Sequence, residues 1–156
     1  MPFNSRKNVV AMIRKAATSD AHIVHEMLSA IPWIGETTKT ADGLAKVAQF
    51  CARGEIFVSA IDSKIAAVMI LQKDHLAGDF GHNRWSIPLI TTVESKRRKG
   101  HARMLLRKAK QIVGNGVIQA NAQNDKSKDL LISEGFVHIE GQTDMRGYPL
   151  YQWSAE

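Results

Sequence analysis

One cysteine in 156 residues, Cys51, rules out an internal disulfide. Long hydrophobic runs are missing too. Stretches such as Ile65 to Leu71 fall far short of the roughly 20 apolar residues that cross a bilayer. Met1 to Lys7 lack the apolar core of a secretory signal. These absences set the expectation of a cytoplasmic protein with no membrane partner. Cys51 falls on the apolar face of an expected helix and reads as core, not as a nucleophile. No repeat, low-complexity tract or linker interrupts the chain, so residues 1–156 are expected to form a single domain.

Several site signatures are also lacking. His22, His25 and Glu26 place two imidazoles at i and i+3, but no third ligand follows and the order His-Glu-x-x-His is absent. No metal is expected there. There is no phosphate loop ending in Gly-Lys-Ser/Thr, and no spacing argues for a Ser-His-Asp triad. The helix-turn-helix and aromatic-strand patterns of nucleic-acid modules do not occur either. Charge is nonetheless unbalanced: 21 basic against 15 acidic residues give a net +6. The cations concentrate in Lys96, Arg97, Arg98, Lys99, Arg103, Arg107, Lys108 and Lys110. A ring of them around one helix end suits a compact anion better than a long nucleic-acid track. Lys108 and Lys110 read as a solvated face.

What is present is a regular succession of elements. Val9 to Ile13 reads as a strand. Thr18-Ser19-Asp20 offers a helix cap, followed by Ile23, Met27 and Ile31 on one face and a stop at Pro32. Thr40 precedes a second helix with a Leu44, Val47, Ala48, Cys51 stripe and a stop at Gly54. Ile56 to Ile61 and Lys64 to Leu71 form a hairpin turning at Asp62-Ser63. Asp74 to Asn83 is polar loop, and Arg84 to Val93 a fourth strand in which Pro88 lacks a ladder donor. Ala102, Leu105, Ala109 and Ile112 share the face of a third helix, with Leu106 and Val113 beside them. A strand (Val117 to Ala122), a helix (Asp125 to Glu134, stopped by Gly135) and two strands (Phe136 to Glu140, Leu150 to Trp153) complete the chain. The class is α/β with a mixed α+β sheet, in the order β-α-α-β-β-β-α-β-α-β-β, about seven strands and four helices.

Val93 to Ala102 carries the chemistry. A strand runs into a basic turn with one glycine, and a helix follows at once. The first amides of a helix lack internal partners, and the helix dipole puts partial positive charge on them. A diphosphate satisfies both, and Gly100 lets the backbone approach it closely. Arg97, Gly100 and Ala102 fit the pattern Gln/Arg-x-x-Gly-x-Gly/Ala, with Val93 four residues ahead. This segment resembles the acyl-CoA-binding turn of the GNAT acyltransferase superfamily, with Arg98 standing where many relatives have glycine. Asn124 and Leu130 to Phe136 are similar to the family's Asn…Leu-Tyr-x-x-x-Gly-Phe segment. The order of elements matches over nearly the whole chain.

The resemblance implies an N-acetyltransferase moving acetyl from acetyl-CoA to an amine of a small molecule, peptide or protein. It implies cofactor contacts at Thr92, Val93, Arg97, Arg98, Lys99, Gly100, His101, Ala102, Arg103 and Asn124. Backbone N–H groups near Thr92 and Val93 would receive the thioester oxygen. It also implies that the fourth strand splays from the fifth, a place Pro88 suits. Trp33 sits on the loop that in the family covers the acceptor. Two departures stand out. Leu131 occupies the position of the family's tyrosine acid, so Tyr148 or Tyr151 becomes the candidate phenol, and the fourth strand carries no glutamate or histidine base. Leu131 sustains a second reading, an acyl-CoA-binding or sensing protein with little or no transfer. Glu36, Asp79, His82 and Glu94 read as surface residues, and Trp85 as core filling. Glu140 and Asp144 offer charge to a cationic acceptor, and Arg146 to an anionic one.

Overall fold

A computed structural model of the chain describes residues 11–30, 42–73, 83–93 and 100–155. Seven strands and four α-helices lie among them: β1 Met12–Lys15, α1 Ala21–Ser29, α2 Gly43–Ala52, β2 Ile56–Ile61, β3 Lys64–Lys73, β4 Arg84–Thr92, α3 His101–Val113, β5 Val117–Asn121, α4 Asp125–Ser133, β6 Val137–Thr143 and β7 Pro149–Ser154. The sheet order is β1-β2-β3-β4-β5-β7-β6. β4 runs parallel to β5, while β1 with β2, β5 with β7 and β6 with β7 are antiparallel. The sheet is therefore mixed, as the alternation of elements predicts. No helix among the described residues is long and apolar enough to cross a membrane.

The chain divides into two compact units, Met1–Met69 with Ile90–Leu105, and Ile70–Leu89 with Leu106–Glu156. In the first, α1 and α2 pack together. Their buried residues are Ala21, Val24 and Leu28 on α1, and Gly43, Val47 and Cys51 on α2. Each fully buried aliphatic side chain contributes about 1.5–3 kcal/mol. The phase of the α1 stripe differs from the sequence reading: Ile23 is exposed and Val24 and Leu28 face inward. Both sets satisfy i, i+4 spacing, and periodicity alone does not choose between two apolar stripes. Leu44 of α2 is likewise exposed. β1 begins at Met12, later than expected; Val9 and Val10 lie outside the described residues. A 3₁₀ turn, Thr18–Asp20, leads into α1. There the Asp20 carboxylate accepts from the Arg14 guanidinium at 2.8 Å and from the Ala17 amide at 2.7 Å. The Arg14 hydrogen bond holds Asp20 below the usual carboxylate range, against the opposing effect of burial. Burial pushes the Cys51 thiol up, in keeping with a core residue and not a nucleophile.

The β2–β3 hairpin turns where expected, with Asp62 and Ser63 both at positive φ, 51° and 68°. That is the two-residue turn whose twist matches its strands.

The second unit is built around β5 and β7, which pair from Val117↔Ser154 to Asn121↔Leu150. Its core includes Leu106, Ala109, Val113, Ile118, Leu131 and Phe136. Asn83 joins three elements at one end: its carbonyl accepts from the Val117 amide at 2.8 Å, its Nδ2 donates to Val113 O at 3.2 Å, and its Oδ1 accepts from Trp85 Nε1 at 2.6 Å. Gly116 lies so close to this knot that a Cβ there would stand 2.3 Å from Asn83 O. At the α4 C-terminus the Glu134 side chain is only 4% exposed. It is paired with Arg107 at 3.2 Å and Lys110 at 3.3 Å. Lys110 also donates to the Glu134 carbonyl and lies over the Trp153 ring. Lys110 thus serves the interior and is not part of a solvated face. A buried carboxylate requires such compensation.

Candidate functional site

In the first unit, β4 ends at Thr92 and α3 begins at His101. Gly100 has φ +83°, in the left-handed region that favours glycine. The Met104 amide donates to Gly100 O at 3.0 Å, which makes Gly100 the cap residue. The first-turn amides of such a helix point toward its N-terminal end. They form the positive end of a 13-residue dipole. Among the described residues, a Cβ placed on Gly100 would meet nothing within 4 Å, so its glycine is required by backbone conformation and not by close packing. Ala102 and Arg103 are half-buried in the same turn. Arg97, Arg98, Lys99 and Glu94 lie outside the described residues, as do Trp33, Glu36, Asp79 and His82.

Two expectations at this turn change. The Val93 amide donates to Ala66 O of β3 at 2.8 Å. It is spent on the sheet, because the ladder between β3 and β4 continues one residue past the strand. His101 was expected to meet the cofactor, but its imidazole turns inward. The residue is 3% exposed, and its Nδ1 lies 2.8 Å from the hydroxyl of Ser59 on β2. Ser59, fully buried, carried no signal in the sequence, because one serine in an apolar strand has no distinguishing pattern.

In the second unit, β4 pairs with β5 from Arg84↔Val117 to Ile87↔Ala120 and no further. The ladder stops at the residue before Pro88, the one position of β4 without a backbone donor. Pro88 is exposed. β5 ends at Asn121, whose Nδ2 donates to Tyr148 O at 3.1 Å. Asn124 caps α4: its Oδ1 accepts from the Ser127 amide at 2.9 Å, while the Ser127 hydroxyl accepts from the Asn124 amide at 3.1 Å. The side-chain oxygen of Asn124 is thus committed to the helix.

Leu131 is 5% exposed, a hydrocarbon in the interior where the resemblance would set a phenol. Of the two candidate tyrosines, Tyr151 is 4% exposed, opposite Ala120 of β5 and His138 of β6, with its ring 5.2 Å from the His138 ring. Tyr148 is half-buried, with the Arg146 guanidinium over its ring at 5.3 Å. Asp144 and Arg146 were weighed as acceptor-binding charges. They pair with each other at 3.1 Å, and Asp144 Oδ1 accepts from the Arg146 and Tyr148 amides at 2.9 and 3.0 Å. Their charge builds the turn before β7.

No family model and no curated protein sequence matches the chain. Solved structures do. A GNAT-family acetyltransferase from Streptococcus agalactiae aligns with a TM-score of 0.73 at 15% identity, over 96% of this chain and 99% of that one. The PaiA N-acetyltransferase of Thermoplasma acidophilum, solved in complex with coenzyme A, aligns at 0.71 and 16%, over 92% and 98%. A GNAT-family acetyltransferase from Listeria monocytogenes aligns at 0.69 and 16%, over 92% and 94%. What is shared at such identity is architecture: the chain adopts the fold of the GNAT-family acetyltransferases.

Proposed function

We propose that this protein is an acetyl-CoA-dependent N-acetyltransferase that passes the acetyl group directly to an amine. The observation that carries the reading is the start of α3. A positive-φ glycine, open to solvent, caps a helix at the spacing of the Arg97, Gly100, Ala102 motif. The diphosphate of CoA would be held by the amides of this turn, with Arg97, Arg98, Lys99 and Arg103 adding charge. The acyl-pantetheine arm would run along β4 at Pro88, where the pairing with β5 ends, satisfying backbone groups that a neighbouring strand would otherwise take. The solved complex of the Thermoplasma PaiA N-acetyltransferase with coenzyme A, on the same fold, supports this assignment.

Transfer forms the C–N bond and breaks the C–S bond. The amine gives up a proton and the departing thiolate takes one. With hydrocarbon at Leu131, the phenol nearest solvent is Tyr148, and we assign it the acid role ahead of the enclosed Tyr151. The acceptor is an amine of a small molecule, peptide or protein, and Trp33 belongs to its pocket. No metal takes part in this reading, which takes the protein to be cytoplasmic and residues 1–156 to form a single domain.

The buried Leu131 also favours a second reading, a protein that binds or senses acyl-CoA without efficient transfer. One experiment separates them. CoA and acetyl-CoA should raise the unfolding temperature, as any ligand selective for the folded state must. Thiol release should then appear with some member of an amine panel, and Tyr148→Phe should slow it by about 100-fold, the lower end for a general acid. Stabilisation without thiol release would establish the second reading. No stabilisation by either nucleotide would refute both.

A further inference from the structure

We propose that Asp144 and Arg146 are positioning residues that hold the phenol of Tyr148 for proton donation, with Asn121 anchoring their turn to the end of β5. The inference rests on the acyltransferase reading above and on Tyr148 as its acid. All four residues belong to the second unit. Asp144 to Tyr148 link β6 to β7, and the contacts of this turn converge on Tyr148. The Tyr148 amide donates to Asp144 Oδ1 at 3.0 Å. The Tyr148 carbonyl accepts from the Asp144 amide at 3.0 Å and from Asn121 Nδ2 at 3.1 Å. The Arg146 guanidinium lies over the Tyr148 ring at 5.3 Å and donates to Asp144 Oδ2 at 3.1 Å. Among the described residues, no group bonds the Tyr148 hydroxyl.

Reversing the chain does not require all of this. The Gly147 amide donates to Asp144 O at 2.9 Å, with Gly147 at φ +86°, and main-chain bonds of that kind close a hairpin by themselves. Nor does the ion pair serve stability, since the Arg146 side chain is 39% exposed and water screens such pairs. What the added contacts supply is aim. One carboxylate oxygen of Asp144 holds the main chain at residue 148 and the other holds the cation over its ring. Against burial, which raises it, the bonds from Tyr148 and Arg146 keep the Asp144 carboxyl below its usual range, so they engage an ionised acceptor. A tyrosine ring turns about two side-chain bonds, and a ring beneath a planar cation keeps fewer of those orientations. Asn121 sets the place. It follows Ala120, the last residue of β5 paired with β4, and stands opposite Leu150 of β7. Its side chain thus ties Tyr148 to the end of the β4–β5 ladder, where the acyl-pantetheine arm is proposed to run. An acid held in this way need not be ordered at the moment of transfer.

The test is a double-mutant cycle read in turnover. Steady-state thiol release with an accepted amine is compared for the unaltered chain, Asp144→Ala, Arg146→Ala, Tyr148→Phe, and each alanine variant combined with Tyr148→Phe. Unfolding midpoints and calorimetric CoA affinity are measured alongside. Each alanine variant alone should lower kcat by about tenfold, less than the roughly 100-fold that a 1 Å misplacement can bring, and leave CoA affinity unchanged. Asp144→Asn keeps an oxygen for the two amides and should recover part of the loss. With Tyr148→Phe already in place the alanine substitutions should cost nothing further, because no hydroxyl is left to aim. Should Asp144→Ala fail to fold, the Arg146 cycle decides alone, since Arg146→Ala leaves the main-chain bonds of the turn in place. Losses that add in the Tyr148→Phe background, or full turnover in a folded Arg146→Ala, would overturn the inference. Tyr148→Phe turning over as the unaltered chain does would remove the acid assignment and this inference, and leave the acyltransferase reading standing. An unaltered chain that binds CoA and releases no thiol would overturn that reading, and this inference with it.

Discussion

Gly100 holds a backbone conformation that costs a residue with a Cβ roughly 1–2 kcal/mol, yet no described residue crowds the position. Gly100→Ala should therefore fold, lose about 1 kcal/mol in urea titrations, and bind CoA more weakly because the cap residue relaxes away from φ +83°. Equal CoA affinity in that variant would contradict the diphosphate assignment. Asp20 offers a test in acid. Its carboxyl titrates below the ordinary value because Arg14 and the Ala17 amide bond the ionised form. A depressed value means a stabilising contribution that is complete above the unfolded value of about 3.9 and lost as pH falls through the folded one. The unfolding temperature of the unaltered chain should fall more steeply than that of Asp20→Asn below about pH 4. Near neutrality Asp20→Asn should be the less stable. At this scale the sequence was only partly legible. Gly100 could be found because its motif is local. Ser59 and His101 could not be paired, because 42 residues separate them and neither lies in a pattern that reveals its partner. Lys110 misled for the same reason, since Glu134 is 24 residues away.

At the scale of elements, punctuation was more reliable than facing. Gly54 and Gly135 end α2 and α4 with φ of +73° and +89°, and Asp62-Ser63 turns the hairpin. These are short-range backbone effects, and short-range effects are written in adjacent residues. Which stripe of α1 turns inward depends on what packs against it, and so Ile23 was misread. Pro88 was legible as an interruption, and the ladder that stops at Ile87↔Ala120 agrees with it. Pro88→Ala restores a donor, so the β4–β5 ladder should lengthen toward Asn121. Protection of amides at the end of β5 should rise and CoA affinity should drop. Loss of affinity without a change in protection would mean that Pro88 contributes through contact with the ligand.

For the whole molecule, order of elements and net charge are the sequence properties that matter. The first sufficed for the architecture because β-α-α-β-β-β-α-β-α-β-β leaves few ways to build a mixed sheet. The second predicts how binding responds to salt. A chain of net +6 whose cations concentrate in sequence around Gly100 should, if CoA binds there, lose CoA affinity as salt rises from about 0.05 M to about 0.5 M and the Debye length shrinks. Titration calorimetry across that range checks it, and a flat profile would remove the basic cluster from the binding site. The acceptor was not legible at any scale, since the sequence from Pro32 to Thr40 carries no pattern that names a ligand.

Salt gives a contrast with Pro88. The attraction of lysines and arginines fades in brine, and a carboxylate pair fades in acid. The missing hydrogen on a proline nitrogen is a matter of covalent bonds, indifferent to solvent, acidity or heat. If the thioester arm lies along β4 at Pro88, the interruption it meets there persists under every condition in which the chain remains folded.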